Sequence, residues 1–447
     1  MNQHDQIFYH IYPLGLLGAP QHNEQGAQPV QRLDALHKWL PHMQSLGVTS
    51  LYLGPLFEAS SHGYDTSDYY HVDRRLGDDA ALTGFVAACH ERGIRVLLDG
   101  VFHHVGRDFW AFRDVRERGE ESPYRDWFSG LRFDARSPYG DPFSYDGWNG
   151  HHSLVKLNLH NADVRAHLFG AVEHWRDTFG IDGLRLDAAD YIDPAFLHEL
   201  SAFCRRLEPD FWLLGEVIHG DYRQWANPEM FHSVTNYAAY KGLFSSHNDG
   251  NYFEIAHTLD RQFGAGGMYR DLPLYNFADN HDVNRIASTL RNPAHLYPLH
   301  ALLFTMPGVP SIYAGSEWGI GGVKLNGNDA PLRPALDLAR LTDDSPQPDL
   351  LPVIQRLAAL RQATPALRQG CYTQLHVAAE QFVFAREANG QRVIVAINAS
   401  DASSTIDVAA SGETLIDILN NGASFPITNG CVQIELPPTW ARVLCEA

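Results

Sequence analysis

Three apolar runs of this chain each end in a carboxylate. Asp187 closes Ile181-Asp182-Gly183-Leu184-Arg185-Leu186-Asp187, and Glu216 closes Phe211-Trp212-Leu213-Leu214-Gly215-Glu216. Asp282 ends Tyr275-Asn276-Phe277-Ala278-Asp279-Asn280-His281-Asp282. Strands buried on both faces read this way, and in a parallel barrel the C-terminal strand ends carry the reactive groups. Three carboxylates converging there, with Arg185 and His281 beside them, can break a glycosidic bond: one attacks, one delivers a proton, and the third charge steadies an oxocarbenium-like transition state. Arg185 lies two residues before Asp187, so on a strand the two side chains share a face. A guanidinium there is expected to hold Asp187, the candidate nucleophile, ionised and aimed, although the pair taken alone reads equally as a structural Arg-Asp bridge at a strand end. A proton donor at neutral pH needs a raised pKa, and the apolar run before Glu216 would supply it, making Glu216 the candidate acid/base. Asp282 is expected to stay ionised and bind sugar hydroxyls, with His281 as hydrogen-bond donor.

These side chains need a scaffold, and the alternation of strand-like with helix-like segments favours a parallel sheet with crossover helices. Ile7 to Pro13 reads as a first strand, followed by a helix from about Val30 to Leu46 and the strand Ser50 to Leu53. Asp79 opens a helix whose Leu82, Phe85, Val86 and Cys89 share one face and which Gly93 stops. Arg95 to Val101 is the third strand. The fourth begins only at Ile181, too late for an ordinary connection, so an excursion of residues 103–158 is expected between them. It is rich in aromatics, Trp148 among them; each either stacks on sugar or belongs to the excursion's own small core. Strands recur near Phe211, His232, Leu274 and Ser311, and Leu351 to Gln362 reads as a last helix with Pro352 in its first turn. The expected fold is an α/β (β/α)8 barrel over residues 1–102 and 159–368. Beyond it, short alternating runs with Asn-Gly turns over 369–447 read as an antiparallel β-sandwich.

Bulk properties narrow the partners. The 447 residues carry 45% apolar and 11% aromatic side chains, ample for a packed core. A formal net charge of -19 repels nucleic acid and anionic membrane, and suits a neutral small-molecule substrate. The cysteines Cys89, Cys204, Cys371, Cys431 and Cys445 are odd in number and widely spaced, as in a reducing compartment. The segment from Met1 to Gln6 has no secretory pattern, and a cytoplasmic location is expected.

The same residues carry a resemblance. Gly-Leu-Arg-Leu-Asp, Gly-Glu-Val and Asn-His-Asp, ending at or around Asp187, Glu216 and Asp282, resemble three successive signature regions of the α-amylase family, glycoside hydrolase family thirteen. Leu98 to His104 resembles the family's D-x-V-x-N-H region, Gly63-Tyr64-Asp65 its G-Y-D turn, and Gly308 to Glu317 the segment around its last barrel strand. Lys156-Leu157-Asn158 matches a stretch of its neopullulanase-like members. The resemblance implies a retaining double displacement on α-1,4 glucosidic bonds, extending to α-1,6, in malto-oligosaccharides or cyclodextrins. A 4-α-glucanotransferase would use the same carboxylates. It also implies that Tyr64 stacks under the sugar, that His104 bonds its hydroxyls, and that Asp99 braces the site. Asp329 and Arg333 admit two readings, a grip on the next sugar or a surface ion pair. No separate N-terminal domain is expected, because the first strand begins almost at once.

Two other classes are weighed. In a barrel metalloenzyme, His103, His104, Asp187, Glu216 and His281 would be ligands, but His103 and His104 are expected on opposite strand faces. A catalytically inactive glucan-binding relative usually lacks a carboxylate, and here all three are present. No cofactor is expected. Position 103 is His where the family usually has Asn, an oxygen ligand for calcium in many members, and the loop Leu14 to Gly26 lacks a D-x-D-G-type calcium segment.

Overall fold

The computed structural model describes residues 3–24 and 26–446. Met1, Asn2, Gln25 and Ala447, at the expected domain ends and in the first loop, lie outside the described residues. Eight parallel strands are Phe8–Ile11 (β1), Ser50–Leu53 (β2), Arg95–Gly100 (β3), Gly183–Leu186 (β4), Trp212–Gly215 (β5), Ser233–Val234 (β6), Tyr275–Phe277 (β7) and Val309–Tyr313 (β8). They pair in the order β7-β8-β1-β2-β3-β4-β5-β6, and a single parallel bridge, Thr235 to Tyr275, joins β6 back to β7. The barrel therefore closes, through a seam far thinner than its other strand pairs.

Period-two alternation decides what each strand offers. Phe8, Tyr52, Leu97, Trp212, Leu214, Tyr275, Phe277 and Val309 form one cluster filling the barrel. Their chain neighbours Tyr9, Leu51, Leu53, Val96, Leu98 and Leu213, with Leu184 and Leu186 on either side of Arg185, belong to the outer core beneath the helices. Asp99 and Arg185 share the inward parity and stand opposite each other in the β3–β4 register.

The second expected element differs. In place of one helix from Val30 to Leu46, a 3-10 segment Leu33–Trp39 leads into a short α-helix, Leu40–Ser45. Pro41 has no N–H to offer the carbonyl four residues back, so a continuous α-helix cannot run through it. Residues before it bond sideways instead, Val30 N to Arg74 O and Leu33 N to Leu76 O. The Asp79–His90 helix forms as read, capped by the Asp78 side chain, with Leu82, Phe85, Val86 and Cys89 buried.

Between β3 and β4 the chain makes a small antiparallel sheet from His104–Gly106, Gly147–Trp148 and His151–Lys156. Phe112, Phe128, Phe143 and Tyr145 are buried beside it and pack edge to face, so most of the segment's aromatics make its own core. The helix Ala162–Phe179, capped by Asn161 and ended by left-handed Gly180, then returns the chain to the barrel.

After the Leu350–Ala363 helix, eight strands from Cys371 to Glu446 form an antiparallel sheet. It curls over an apolar core of Val383, Ile394, Val408, Leu415, Ile434 and Leu444. Asn389-Gly390 and Asn429-Gly430 each have positive φ at both residues (52° and 77°, 55° and 76°) and close two-residue hairpins, the geometry a type I′ turn demands. No helix among the described residues is long and apolar enough to cross a membrane.

Candidate active site

Arg185 is the hub of the barrel mouth. It is buried, and its Nη1 lies 2.8 Å from Asp99 Oδ1 and 3.0 Å from Asp187 Oδ1, while Nη2 lies 2.8 Å from Glu216 Oε1. One guanidinium thus serves three carboxylates, from the ends of β3, β4 and β5. Burial pushes Asp187 well above the usual carboxylate range, and Glu216, Asp99 and Asp282 add like-charge repulsion that Arg185 does not overcome. Arg185 favours the ionised form of Asp187, but burial and the neighbouring carboxylates oppose it, so the charge of Asp187 is set by the coupled cluster and not by the Arg185 pair alone. Burial, with the Asp282 charge, also raises Glu216, the direction expected for a proton donor. A cluster of this composition retains a proton as a unit.

The backbone helps to aim Glu216. Ala188 has φ 46° and ψ 43°, a left-handed conformation that a residue with a Cβ adopts only under constraint. There its N–H donates to Glu216 Oε2 at 2.9 Å.

Asp282 sits at the other side of the cluster. Burial alone would raise it, but His281, Arg333 and Arg185 hold it well below the usual range, so it stays ionised as expected. His281 Nε2 lies 3.0 Å from Asp282 Oδ2, and Arg333 Nη2 lies 2.7 Å from Asp282 Oδ1. Arg333 Nη2 also reaches Asp329 Oδ2 at 3.2 Å, and Lys324 Nζ reaches Asp329 Oδ1 at 2.7 Å. Asp329 and Arg333 do form an ion pair, but not a surface one: the Arg333 side chain is 10% exposed and also binds the Asp282 carboxylate directly.

Tyr64 is buried and its hydroxyl bonds both Asp99 Oδ2, at 3.1 Å, and His281 Nε2. Its ring and that of Tyr12 lie parallel to His281, at 5.6 and 5.7 Å between centroids. The turn that carries it depends on two glycines. Gly63 has φ +87°, and a Cβ on Gly106 would meet the Asp65 carbonyl oxygen at 2.3 Å. His104 packs against Trp148, and burial pulls its imidazole down to about 3, so it is neutral at ordinary pH. Its Nε2 and His281 Nδ1 find no hydrogen-bond partner among the described residues.

His103 and His104 do not project to opposite faces. Their Nδ1 atoms lie 3.3 Å apart, because β3 ends at Gly100 and residues 101–103 are not strand. The surroundings of His103 fit calcium poorly: imidazole nitrogens in place of oxygens, with the Lys156 charge close enough to help pull His103 down to about 4 after burial. Among the described residues no three His, Cys, Asp or Glu side chains converge to hold a metal ion.

The structure thus brings together Asp187, Glu216, Asp282, Arg185, His281, Tyr64, Asp329 and Arg333, with His104 on the adjoining sheet. Sequence reasoning missed Tyr12, whose hydroxyl lies 3.4 Å from Arg333 Nη1, and Tyr237, 3.5 Å from Glu216 Oε1. It also missed Asn280, which holds the Asp282 N–H at 2.8 Å; its place beside His281 was the one available signal. A groove of about 800 Å³ elsewhere, lined by Glu58, Asp68 and Trp110, shares no residue with this cluster.

Comparison with known proteins agrees with this geometry. Residues 28–344 match the family described as alpha amylase, catalytic domain, and residues 372–442 match maltogenic amylase, C-terminal domain. A cyclomaltodextrinase from Bacillus sp is 32% identical over 421 residues, covering 90% of this chain and 74% of that protein. A solved cyclomaltodextrinase structure superposes with a TM-score of 0.86 at 29% identity, over 99% of this chain and 78% of the other. A cyclic alpha-maltosyl-(1-->6)-maltose hydrolase from Arthrobacter globiformis does so with 0.83 at 28% identity, over 100% and 99%. The chain belongs to the α-amylase family and is a glycoside hydrolase of its cyclomaltodextrinase, neopullulanase and maltogenic amylase kind.

Proposed function

We propose that this enzyme hydrolyses α-1,4 bonds, and α-1,6 bonds to a lesser degree, in malto-oligosaccharides or cyclodextrins by a retaining double displacement. The observation that carries the reading is the single Arg185 guanidinium bonded to both Asp187 and Glu216. It keeps two carboxylates close together beside a third, ionised one, as direct attack at the anomeric carbon requires. With the cluster's proton on Glu216 and Asp187 ionised, Asp187 attacks C1 while Glu216 protonates the departing oxygen. Glu216, now ionised, then draws a proton from water, which displaces Asp187 with a second inversion. Asp282, kept charged by Arg333 and His281, binds sugar hydroxyls and stabilises positive charge at C1. Tyr64, braced by Asp99 and His281, gives the ring a flat support, and neutral His104 offers its Nε2 to a hydroxyl. The oligosaccharide is the only partner this chemistry requires, and no metal takes part in it.

A cytoplasmic location belongs to the same reading, since Cys89, Cys204, Cys371, Cys431 and Cys445 are all free thiols. The mechanism is tested by following cyclodextrin hydrolysis with time-resolved proton NMR. The first product should carry the α-anomeric configuration, before mutarotation. Initial release of the β-anomer would overturn the double displacement.

A further inference from the structure

The groups that touch Glu216 are not all charged. Tyr237 opens the helix Tyr237–Asn248 directly after β6, and Asn236 caps that helix by accepting from Ala239 N at 3.2 Å. The Asn236 side chain is itself buried and bonded to Gln262 and Asn276, so the start of the helix is fixed. The Tyr237 ring packs edge-on against Phe277, 5.0 Å between centroids, and against Tyr240 at 6.1 Å. Its hydroxyl then lies 3.5 Å from Glu216 Oε1 and 3.2 Å from Asn280 Nδ2.

Asn280 decides which way the phenolic hydrogen points. Its Oδ1 accepts from the backbone N–H groups of Asp282, at 2.8 Å, and Val283, at 3.1 Å. That orientation leaves the amide Nδ2 facing Tyr237 as a donor. The phenol oxygen therefore accepts from Asn280, and its own hydrogen is left for Glu216. Burial, with the Glu216 charge, raises the phenol well above its usual range, so it keeps that hydrogen.

We propose that Tyr237 is a positioning residue for Glu216: held by Asn280, its hydroxyl donates to Oε1 whenever that carboxyl is ionised, and so sets the proton balance of the acid. This rests on the reading of Glu216 as the acid/base. The other groups facing Glu216 are Arg185 and Asp187 from β4, and His281 and Asp282 beyond β7, with the Ala188 N–H on Oε2. All four of those side chains are ionisable, so replacing any of them changes the charge around Glu216. Tyr237 is a neutral side-chain contact, so removing its hydroxyl takes away its bonds to Glu216 and Asn280 and leaves the formal charge around Glu216 unchanged. The 3.5 Å separation is long, as catalytic contacts often are before substrate tightens them.

The test is the pH profile of kcat/KM on maltoheptaose. Losing a donor to the ionised form raises the acid's pKa, so Tyr237→Phe should move the alkaline limb upward by about half to one pH unit. The variant should also lose more activity on maltoheptaose than on an activated aryl α-glucoside. Tyr240→Phe, which removes a neighbouring hydroxyl that does not reach Glu216, should leave the limb in place. Glu216→Gln on the aryl substrate separates the two readings. If its alkaline limb persists, Glu216 is not the titrating acid and both readings fall. If that limb vanishes while Tyr237→Phe leaves the parent profile unmoved, the Tyr237 inference alone is overturned.

Discussion

Two clusters of buried charge in this molecule are built on opposite principles. At the barrel mouth, Arg185 faces Asp99, Asp187 and Glu216, three anions around one cation. At the junction with the C-terminal sheet, Arg361 and Arg386 are equally buried, and neither makes an ion pair among the described residues. Carbonyl oxygens satisfy them. Arg361 donates to Phe304, Leu367 and Gly308, and Arg386 donates to Thr305 and Gly370. Burial pulls both arginines down to about 9, helped by the Arg368 charge at Arg361 and by the Arg361 charge at Arg386, which leaves them charged at neutral pH. Fixed dipoles give a charge that does not respond to pH in the neutral range. An excess of titratable anions gives one that does, and chemistry needs the second kind.

Asp187→Asn should break the first cluster with the largest effect. Removing the attacking carboxylate should lower kcat/KM on cyclodextrin on the order of 10⁴-fold. Stability should move the other way. Asp187 has a raised pKa when folded, so the folded state binds more protons than the unfolded chain between the ordinary carboxylate range and that raised value. Parent stability from this group therefore falls as pH rises through that window, and the Asn variant escapes the loss. Its Tm should equal or exceed the parent's at pH 7, with the difference closing below the ordinary carboxylate range. A variant markedly less stable at pH 7 would show that the carboxylate is structurally required.

Arg386→Met sharpens the contrast from the other side. It strips donors from the Thr305 and Gly370 carbonyls, each worth about 1–3 kcal/mol when left buried and unsatisfied. Thermal unfolding should show a clearly lowered Tm, while kcat per folded molecule at a permissive temperature stays at the parent value. A matching fall in kcat would mean that the junction transmits strain to the barrel mouth.

The smallest expected effect is that of chelation. Since His103 and Lys156 make a poor calcium site, saturating EDTA should leave activity and Tm nearly unchanged. A Tm drop of many degrees that added calcium restores would contradict this, because a tightly bound ion stabilises by several kcal/mol at saturation.

What the chain discloses before folding follows from the same physics. The strands leading to Asp187, Glu216 and Asp282 are legible because burial on both faces forces continuous apolar runs, and a carboxylate ending each run stands out. Ser233–Val234 was legible only as one more strand near His232, since two residues carry no periodicity. In the C-terminal sheet the alternating runs and the Asn-Gly turns between them were visible as a set. Cys371–Val377 and Ser404–Ala409 are harder to read, because edge strands with polar, exposed positions resemble loops. Tyr237 and Tyr12 reach the site through tertiary packing alone, and aromatic residues of their kind are mostly core elsewhere in the chain. The division of Arg185 among three carboxylates, which couples Asp187 to Glu216 and Asp99, depends on cross-strand register that no single segment contains.

The thin seam between β6 and β7 has a consequence for how the acid is held. Beyond the single Thr235–Tyr275 bridge, those strands are held by the Asn236 N–H on the Tyr275 carbonyl and by the buried amides of Asn236, Gln262 and Asn276. Those few bonds, rather than a continuous ladder, hold the two strands there. Tyr237 stands just past one edge of the gap and Asn280 just past the other, so the acid's hydrogen bond spans the least-bonded pair of staves in the barrel. A substitution that weakens the Asn236–Gln262 pair should therefore reach Glu216 without touching a carboxylate.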